Sequence, residues 1–464
     1  MGSAYSENII GDNTVNSTSN NNTTQKKFNA DGTSLTISES TTLSTGSSQT
    51  VNIFTKNNGT VTVESGSSIF SNGALSSNTI QGKNQSGLTV TNSGTISAGH
   101  SKAINLLDAT NSNITNNAGG IIKSNTNTIT VTATNDNDAN NVTINNSGEI
   151  YAEDISRSNT PSNAVKSEIN TDNITIINNS GGYIHNNNDN ENAFQGSTVF
   201  VSAVSTATFT NSGTIENKAG VDGFALGLNG SGVTVNLKDK GKVIGKISIK
   251  GSGHTIKLQH GAGQGYFYET TGDGTYDLED LDGNPVVKGS AGSIGQAGNE
   301  MLDETLSYKS LNIRKSLTRF KKNEEYLNQN EAWGELFTSF HKRKEKKSTL
   351  RLGSKTTSVG ANIINPISEN KNFIVSVETG LLNISQDHDI KKNGFLAGLH
   401  FNEIEIFNTN SELFILGGAN YNKSERNILT NTTTTGELNV TDSYENYEFL
   451  MGAKTCLLYT SPSP

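Results

Sequence analysis

The first half of the chain alternates short β-branched runs with turn residues. Runs such as Val61-Thr-Val63, Asn173-Ile-Thr-Ile-Ile177 and Val233-Thr-Val235 recur, each followed by turn residues such as Asn, Gly, Ser or Thr. Apolar positions in this pattern predict short β-strands separated by turns. Disorder is the alternative, and it applies chiefly to the first 30 residues, where the composition is most polar.

An internal repeat organises this region. The motif Asn92-Ser-Gly-Thr-Ile96 returns four times in related form, and the first glycines of the five copies lie 25 to 33 residues apart. A repeat of this length, with a short strand before most copies, predicts a right-handed parallel β-helix. Its tight turns use Gly and Asn in the left-handed conformation. The repeat glycines are Gly94, Gly119, Gly148, Gly181 and Gly213.

Residues 30–260 would then form about nine coils around one continuous core of Val, Ile and Leu. Asparagines in register on successive coils would hydrogen-bond along a ladder. A β-sandwich is the alternative fold for this segment, because it also consists of short strands and turns.

Between residues 297 and 330 the apolar period becomes that of a helix. The apolar residues fall on one stripe, and many of the other positions are charged, which predicts one amphipathic helix. A Gly-rich segment at 289–298 precedes it. The stripe consists of Leu302, Leu306, Ile313, Leu317, Phe320 and Leu327.

From residue 331 onward the apolar period is two. Six segments are apolar on one face and small or polar on the other, as where Phe373, Val375 and Val377 alternate with Ser376 and Glu378. Strands of about ten residues with this alternation are typical of transmembrane barrels. A soluble antiparallel sheet shows the same alternation. Aromatic residues at strand ends, including Trp333 and Phe340, suit the interfacial girdles of a barrel.

Composition narrows the classes of protein. The 464 residues include 44 acidic and 35 basic side chains, for a net charge of -9, which argues against a nucleic-acid partner. No run of about 20 apolar residues occurs, so a helical membrane protein is excluded. The single Cys456 leaves no disulfide framework or cysteine metal site. Residues Met1 to Tyr5 lack a signal peptide, and we expect the start of the protein to be missing.

The order of these segments resembles the autotransporters, the type V secreted proteins of Gram-negative bacteria. The resemblance rests on the β-helical region, the single helix, and strands that open with Glu331-Ala-Trp-Gly-Glu-Leu-Phe-Thr-Ser-Phe340. It implies a passenger at 30–262, a cap and linker at 263–296, a pore helix at 297–330 and a barrel at 331–455. It also implies outer-membrane lipid, the barrel-assembly machinery and periplasmic chaperones as partners, with the passenger at the cell surface.

Both ends depart from the family pattern. Residues 1–29 are expected to be disordered or incomplete, and residues 456–464 break the alternation and resemble a non-native tail. The six strands would be about half of a barrel of roughly twelve. We therefore expect an all-β fragment: a β-helix, one linker helix and part of an antiparallel transmembrane barrel.

Chemistry-bearing motifs are scarce. The chain has no G-x-S-x-G, H-E-x-x-H or P-loop motif, and we expect no catalytic residue, cofactor or metal. His185 and His254 are expected at exposed loop or coil positions. The acidic residues of the repeats are expected to stand singly or on loops, and the stretch from Asp273 to Gly283 is expected to be a solvated turn rather than a calcium loop. These repeat acids are Glu149, Glu153, Asp154 and Glu216.

We therefore predict a non-enzymatic autotransporter whose passenger acts by adhesion or aggregation, through an unknown surface ligand or self-association. The alternatives are a secreted carbohydrate-active β-helix enzyme and a soluble fibre or tail-spike-like protein. Three or more carboxylates in one groove would favour the enzyme, and strands without outward apolar faces would favour the fibre. The basic stretch from His341 to Lys347 is expected in an outward hairpin, where lipopolysaccharide or solvent would surround it.

Overall fold

The structure is a computed structural model that divides into two compact units. Unit 1 comprises Met1–Gly261, Gly265–Ile294 and Ile428–Leu438, and unit 2 comprises Ala262–Gln264, Gly295–Asn427 and Asn439–Pro464. The predicted Gly-rich segment 289–298, Leu327 and the tail 456–464 lie outside the described residues. The described residues are 6–16, 23–46, 48–73, 77–135, 138–153, 162–168, 170–187, 194–203, 206–286, 299–323, 331–344, 353–384, 388–406 and 409–455.

Unit 1 is a stack of coils that forms three parallel sheets, here called sheets A, B and C. Sheets A and B contain 11 strands each and sheet C contains eight, and each strand pairs with its counterpart in the next coil. Parallel pairing between strands about 20 to 35 residues apart, repeated along the chain, produces a β-helix. The parallel β-helix predicted from the repeat is therefore confirmed.

The strands of unit 1 are short, and most of them contain four residues. Sheet A consists of Ser6–Ile9, Gln25–Phe28, Val51–Phe54, Ile80–Ser86, Ile104–Thr110, Ile129–Thr132, Val165–Ser167, Val199–Ala203, Phe224–Gly230, Lys246–Ile249 and Thr270–Thr271. Sheet B consists of Asp12–Val15, Ser34–Ile37, Thr60–Val63, Thr89–Asn92, Asn113–Asn116, Thr143–Asn146, Ile174–Asn178, Ala207–Asn211, Val233–Lys238, His254–Gln259 and Tyr276–Asp280. Sheet C consists of Thr42–Thr45, Ser68–Ser71, Thr95–Ala98, Ile121–Ser124, Glu149–Ala152, Tyr183–Asn186, Thr214–Asn217 and Lys242–Ile244.

Smaller elements complete unit 1. Ala139–Asn140 pairs with Thr171–Asp172, and Gly265–Phe267 pairs in parallel with residues 428–430. Two short 3-10 helices span Phe194–Gly196 and Gly220–Asp222.

Alternate side chains of each strand point into the coil. In sheet B the inward positions stack in one column, where Val61, Val90, Ile114, Ile144 and Ile176 follow one another from coil to coil. None of these side chains is more than 1% exposed. Because each β-branched residue packs on its equivalent above and below, the column forms one continuous core along unit 1.

A buried ladder of asparagines runs beside this core, as the repeat predicts. Each amide nitrogen Nδ2 donates to the Oδ1 atom of the asparagine in the next coil, at distances of 2.8, 2.8, 2.9 and 2.8 Å. The same nitrogens also bond to backbone carbonyls of the turns that follow. The ladder consists of Asn92, Asn116, Asn146, Asn178 and Asn211.

The repeat glycines occupy two different positions in the turns. A Cβ atom on Gly148 would lie 2.3 Å from the carbonyl oxygen of Gly120, so only glycine fits where one coil crosses the next. Gly94 and Gly213 occupy the same crowded position, but Gly119 and Gly181 do not. Those two have φ of 81° and 84° with open space around them, because their turns contain one extra residue. In those coils the crowded positions belong to Gly120 and Gly182.

The parallel sheets begin earlier and end later than the sequence predicts. Ser6–Ile9, Asp12–Val15 and Gln25–Phe28 already pair with the following coils, so the described part of 1–29 is β-helix and the expectation of disorder there is wrong. The polar composition misled the prediction, because a strand needs only one or two inward apolar residues, such as Ile9 and Phe28. At the other end, Tyr276–Asp280 extends sheet B into the predicted cap.

Unit 2 consists of one helix and an antiparallel sheet of six consecutive strands. The helix spans Asn299–Asn323, within the predicted 297–330. Each strand pairs with the next in sequence. The strands are Trp333–Arg343, Ser354–Ser368, Lys371–Ile384, His388–Ile406, Thr409–Thr430 and Glu437–Thr455.

Candidate functional site

The helix of unit 2 lies against one face of the antiparallel sheet, here called the inner face. Its predicted apolar stripe makes this contact: Ile313, Leu317 and Phe320 are at most 5% exposed, and Leu306 packs beside them. Trp333, at the start of the first strand, lies with its ring 6.3 Å from that of Phe320. The sheet contributes Ile364, Ile374, Leu396, Phe414, Leu416 and Leu450 to this cluster.

A buried ionic cluster lies beside the apolar contact. Lys309 of the helix is 2% exposed, and its Nζ donates to Glu448 Oε2 at 2.7 Å and to Asn420 Oδ1 at 3.0 Å, with Glu378 Oε2 at 3.8 Å. Lys392 Nζ donates to the other oxygen of Glu448 at 2.9 Å. Two lysines and two carboxylates balance each other, which is the condition for burying charge at tolerable cost.

Further polar contacts extend along the helix towards its C-terminus. Ser316 Oγ donates to Glu335 Oε2 at 2.6 Å and accepts from Asn362 Nδ2 at 2.8 Å. Arg319 pairs with the same Glu335, and Lys321 pairs with Glu412 at 3.2 Å. The helix therefore presents mainly cations and the sheet presents carboxylates, so the two surfaces are electrostatically complementary.

The inner face is polar over much of its remaining area. Several of its buried polar atoms have no hydrogen-bond partner among the described residues, and buried groups of this kind are normally bonded to water. This composition suits a hydrated interior. The atoms are Asn362 Oδ1, Ser376 Oγ, His388 Nδ1, His400 Nε2, Asn402 Oδ1, Asn420 Nδ2 and Asn422 Oδ1.

The opposite face of the sheet, the outer face, is apolar and exposed. Phe373, Val377 and Leu381 alternate with inward residues along one strand and are 40%, 43% and 36% exposed. At about 3.3 Å per residue, the distance from Phe373 to Leu381 is about 26 Å along the strand. The other large exposed apolar residues of this face are Leu336, Phe340, Val359, Ile363, Phe395, Tyr421, Tyr447, Phe449 and Met451.

In unit 1 the outward face of sheet C gathers aromatic and charged side chains in contact with one another, here called the sheet C stripe. The rings of Tyr151 and His185 stack at 4.6 Å, and those of Tyr183 and His185 at 4.5 Å. Glu149 lies 2.9 Å from His185 Nε2, and Tyr183 pairs with Glu216. Lys123 lies over Tyr151 and pairs with Glu153 at 2.8 Å, and Lys218 lies over Tyr183 and pairs with Glu216 at 2.9 Å.

Burial changes the acid–base behaviour of this stripe. It lowers the pKa of His185, against the opposing effect of the nearby Glu149. It also raises the pKa of Tyr183 to about 12, and the hydrogen bond to Glu216 acts in the same direction. The phenol of Tyr183 therefore remains protonated and serves as a donor at neutral pH.

Three expectations about histidines and acids are wrong here. His185 lies in a strand and is 6% exposed, and His254 is fully buried, with Nε2 2.9 Å from the Lys250 carbonyl oxygen. Glu149 and Glu216 do not stand alone, because the register of sheet C brings them onto one face with Tyr183. The sequence shows the spacing of these residues but not which strands become neighbours.

The stretch from Asp273 to Gly283, expected to be a solvated turn, instead contains the strand Tyr276–Asp280, which ends in a turn. Asp280 Oδ1 accepts hydrogen bonds from the backbone nitrogens of Asp282 and Asn284, and Oδ2 accepts from the Tyr266 hydroxyl. Within the described residues, no group of three or more His, Cys, Asp or Glu side chains has the arrangement of a metal site. Two other stretches of the sequence, 136–138 and 186–192, could offer oxygen ligands to calcium, but residues 136–137 and 188–192 lie outside the described residues.

No described helix is both long enough and apolar enough to cross a membrane. Comparisons with family models, with curated proteins and with solved structures found no match to this chain.

Proposed function

We propose that unit 2 is the translocator of an autotransporter and that unit 1 is its passenger. In this proposal the antiparallel sheet forms part of the wall of an outer-membrane barrel. Its outer face contacts lipid, and the helix occupies the lumen. The observation that carries the proposal is the distribution of polarity in unit 2. One cluster of its charges is buried beside the helix, whereas twelve of its large apolar side chains are exposed on the opposite face of the sheet.

This distribution differs from that in a soluble sheet covered by a helix, in which the face away from the helix is polar. Soluble proteins rarely expose contiguous apolar patches of more than a few hundred Å², yet twelve large apolar side chains lie on the outer face. Barrels in the outer membrane carry an outward apolar band about 25 Å tall and a polar interior. The run of about 26 Å from Phe373 to Leu381 is long enough to cross much of that band, even when the strand is tilted.

Unit 1 suits the role of a passenger because its contacts are local along the chain. Each coil pairs with the coils before and after it, so the stack can form one coil at a time as the chain emerges. With one cysteine in the sequence, no intrachain disulfide can hold a folded intermediate together. Stacking of new coils outside the membrane would therefore oppose backward movement of the chain.

For the passenger itself we propose surface contact, as in adhesion or aggregation. In eight consecutive strands of sheet B, two outward positions per strand fall in two straight columns, here called the threonine face, and the sixteen side chains in these columns are uncharged. A regular, half-exposed face without charge meets no electrostatic repulsion from a second surface of the same kind. The face consists of Ser34, Thr36, Thr60, Thr62, Thr89, Thr91, Asn113, Thr115, Thr143, Asn145, Thr175, Ile177, Thr208, Thr210, Thr234 and Asn236.

The membrane proposal is tested by placing an environment-sensitive fluorophore on single cysteines. In a Cys456→Ser background, Thr357→Cys and Val377→Cys place the label on the outer face, and Thr356→Cys places it on the inner face as the matched control. The full chain is reconstituted into phosphatidylcholine vesicles that contain nitroxide-labelled phosphatidylcholine. We expect quenching of both outer labels and little quenching of the inner one; equal quenching of Thr356→Cys and Thr357→Cys would contradict the proposal.

The aggregation role is tested by adding charge to the threonine face. Thr143→Lys with Thr175→Lys places two cations on adjacent strands of sheet B. Sedimentation of the full chain in detergent should show self-association that this variant loses. Thr42→Lys, on the outward face of sheet C, serves as the control. If both variants associate as the original protein does, the threonine face is not the contact surface.

A further inference from the structure

Two pairs of lysines face each other directly across strands on the outer face of unit 2. Lys342 is the register partner of Lys355 on the first two strands, and Lys391 is the partner of Lys423 on the fourth and fifth. All four side chains are exposed. Both pairs lie at the end of the outer face where the apolar rows finish, next to the pairs Phe340 with Thr357 and Leu381 with Lys391.

The two pairs differ in how their charge is compensated. Like charges directly opposite each other on a sheet destabilise it. Glu425 relieves the second pair, because its Oε1 lies 3.1 Å from Lys423 Nζ and 3.8 Å from Lys391 Nζ. No carboxylate of the described residues forms an ion pair with Lys342 or Lys355. The contact that the structure gives Lys355 is with an aromatic ring, since its Nζ lies 5.6 Å from the centroid of Phe340.

We propose that Lys342 and Lys355 bind the phosphate of an anionic lipid at the edge of the outer face. This inference rests on the proposed insertion of unit 2 into a membrane. Phe340 is 60% exposed and belongs to the apolar rows, so its ring would lie among acyl chains while the two ammonium groups lie at headgroup level. Lysines in this position extend their apolar stems along the membrane and keep the charge at the interface.

Charge complementarity identifies the occupant. A phosphate between the two lysines supplies the negative charge that Glu425 supplies to the other pair. Basic side chains next to an anionic membrane surface each contribute about fivefold to binding, so two of them correspond to a preference of about 30-fold. A zwitterionic lipid carries its own cation beside the phosphate and would gain much less.

The test measures which lipid gathers beside this pair. The full chain with Cys456→Ser and a fluorophore on Thr357→Cys, the register partner of Phe340, is reconstituted into phosphatidylcholine vesicles. A trace of nitroxide-labelled phosphatidylglycerol or nitroxide-labelled phosphatidylcholine then quenches the label. We expect half-maximal quenching at a mole fraction of phosphatidylglycerol about 30-fold lower than that of phosphatidylcholine, and we expect K342Q with K355Q to abolish this difference.

The matched control is the compensated pair. K391Q with K423Q removes the same number of charges at the same edge but should leave the lipid preference unchanged, because Glu425 already pairs with both of those lysines. A preference that survives K342Q with K355Q, or that an excess of inorganic phosphate removes, would overturn the lipid site. Quenching by neither lipid would instead overturn the insertion of unit 2 itself, so the two proposals fail in distinguishable ways.

Discussion

The direction of the hydrogen bonds in the asparagine ladder predicts which of its members matter most. Every Nδ2 donates towards the next coil, from Asn92 through to Asn211. Each side-chain nitrogen in the middle of the ladder also has backbone carbonyl acceptors, as Asn178 Nδ2 has in Gly182 and Thr214. The oxygen Oδ1 of Asn178 has one donor, Asn146 Nδ2. An asparagine in the ladder that loses the donor to its Oδ1 is therefore left with an unpaired buried oxygen. One that loses the acceptor of its Nδ2 keeps the carbonyl partners of that nitrogen.

The perturbation is alanine substitution at two fully buried positions. Asn146→Ala removes the donor to Asn178 Oδ1 and the acceptor of the Gly148 backbone nitrogen. Asn211→Ala removes one acceptor from Asn178 Nδ2, but that nitrogen keeps both of its carbonyl partners. The substitution also removes the donor to the Lys242 carbonyl. A buried polar group left without a partner costs about 1–3 kcal/mol. We therefore expect Asn146→Ala to destabilise unit 1 by about 1–3 kcal/mol more than Asn211→Ala.

The assay must resolve unit 1 within the full chain, because a chain of two units does not unfold in one two-state step. Peptide-resolved hydrogen exchange across a urea series measures the opening free energy of the coils around each substitution. Thr91→Ala, an outward position on the threonine face, controls for removal of a side chain from sheet B. Equal costs for the two asparagines, or a larger cost at Asn211, would refute the assigned direction of the ladder.

Three further predictions concern pH, the ionic cluster and a turn. Burial lowers the pKa of His260 from 6.5 to about 4. Because the unfolded chain takes up this proton at higher pH than the folded chain, the free energy of unfolding of unit 1 should fall by about 3 kcal/mol as pH falls from 6.5 to 4. A pH series of urea titrations should show a flatter profile for His260→Gln. Lys309→Met leaves Glu448 buried with one lysine and should destabilise unit 2 by about 3–5 kcal/mol. Urea unfolding monitored by tryptophan emission measures this loss, and adding Glu448→Gln should recover part of the lost stability. Gly148→Ala places a Cβ against the carbonyl of Gly120 and should cost about 1–3 kcal/mol in the same exchange assay, whereas no loss would contradict the crowded turn.

The β-helix could be predicted because its signals are local in sequence. Alternating apolar residues give the strands, and the recurring asparagine and glycine give the turns and the ladder. The exact register could not be predicted, because a turn accepts one extra residue without changing the motif. Gly119 and Gly120 illustrate this: either glycine can be aligned with Gly94, and only the pairing of Ile121 with Thr95 identifies Gly120 as the equivalent residue.

The polar cluster of unit 2 cannot be predicted from the sequence for a different reason. Lys309 lies three residues after Leu306 and four before Ile313, so it occupies a position on the apolar stripe. A lysine at such a position signals a buried charge that needs a carboxylate. Which carboxylates meet it depends on contacts between distant parts of the chain, since Glu378 and Glu448 lie 69 and 139 residues away. No pattern along a single strand contains that information.

The two faces of unit 2 have to be explained together. In water, the unit would expose its largest apolar side chains and bury two lysines with two glutamates, and both arrangements cost free energy. Placing the outer face in lipid removes the first cost. The second is offset by the pairing of Lys309 and Lys392 with Glu378 and Glu448, which ties the helix to the sheet more specifically than apolar contact alone. The assumption that the outer face meets lipid therefore accounts for the exposed apolar residues, while ion pairing accounts for the buried charged ones.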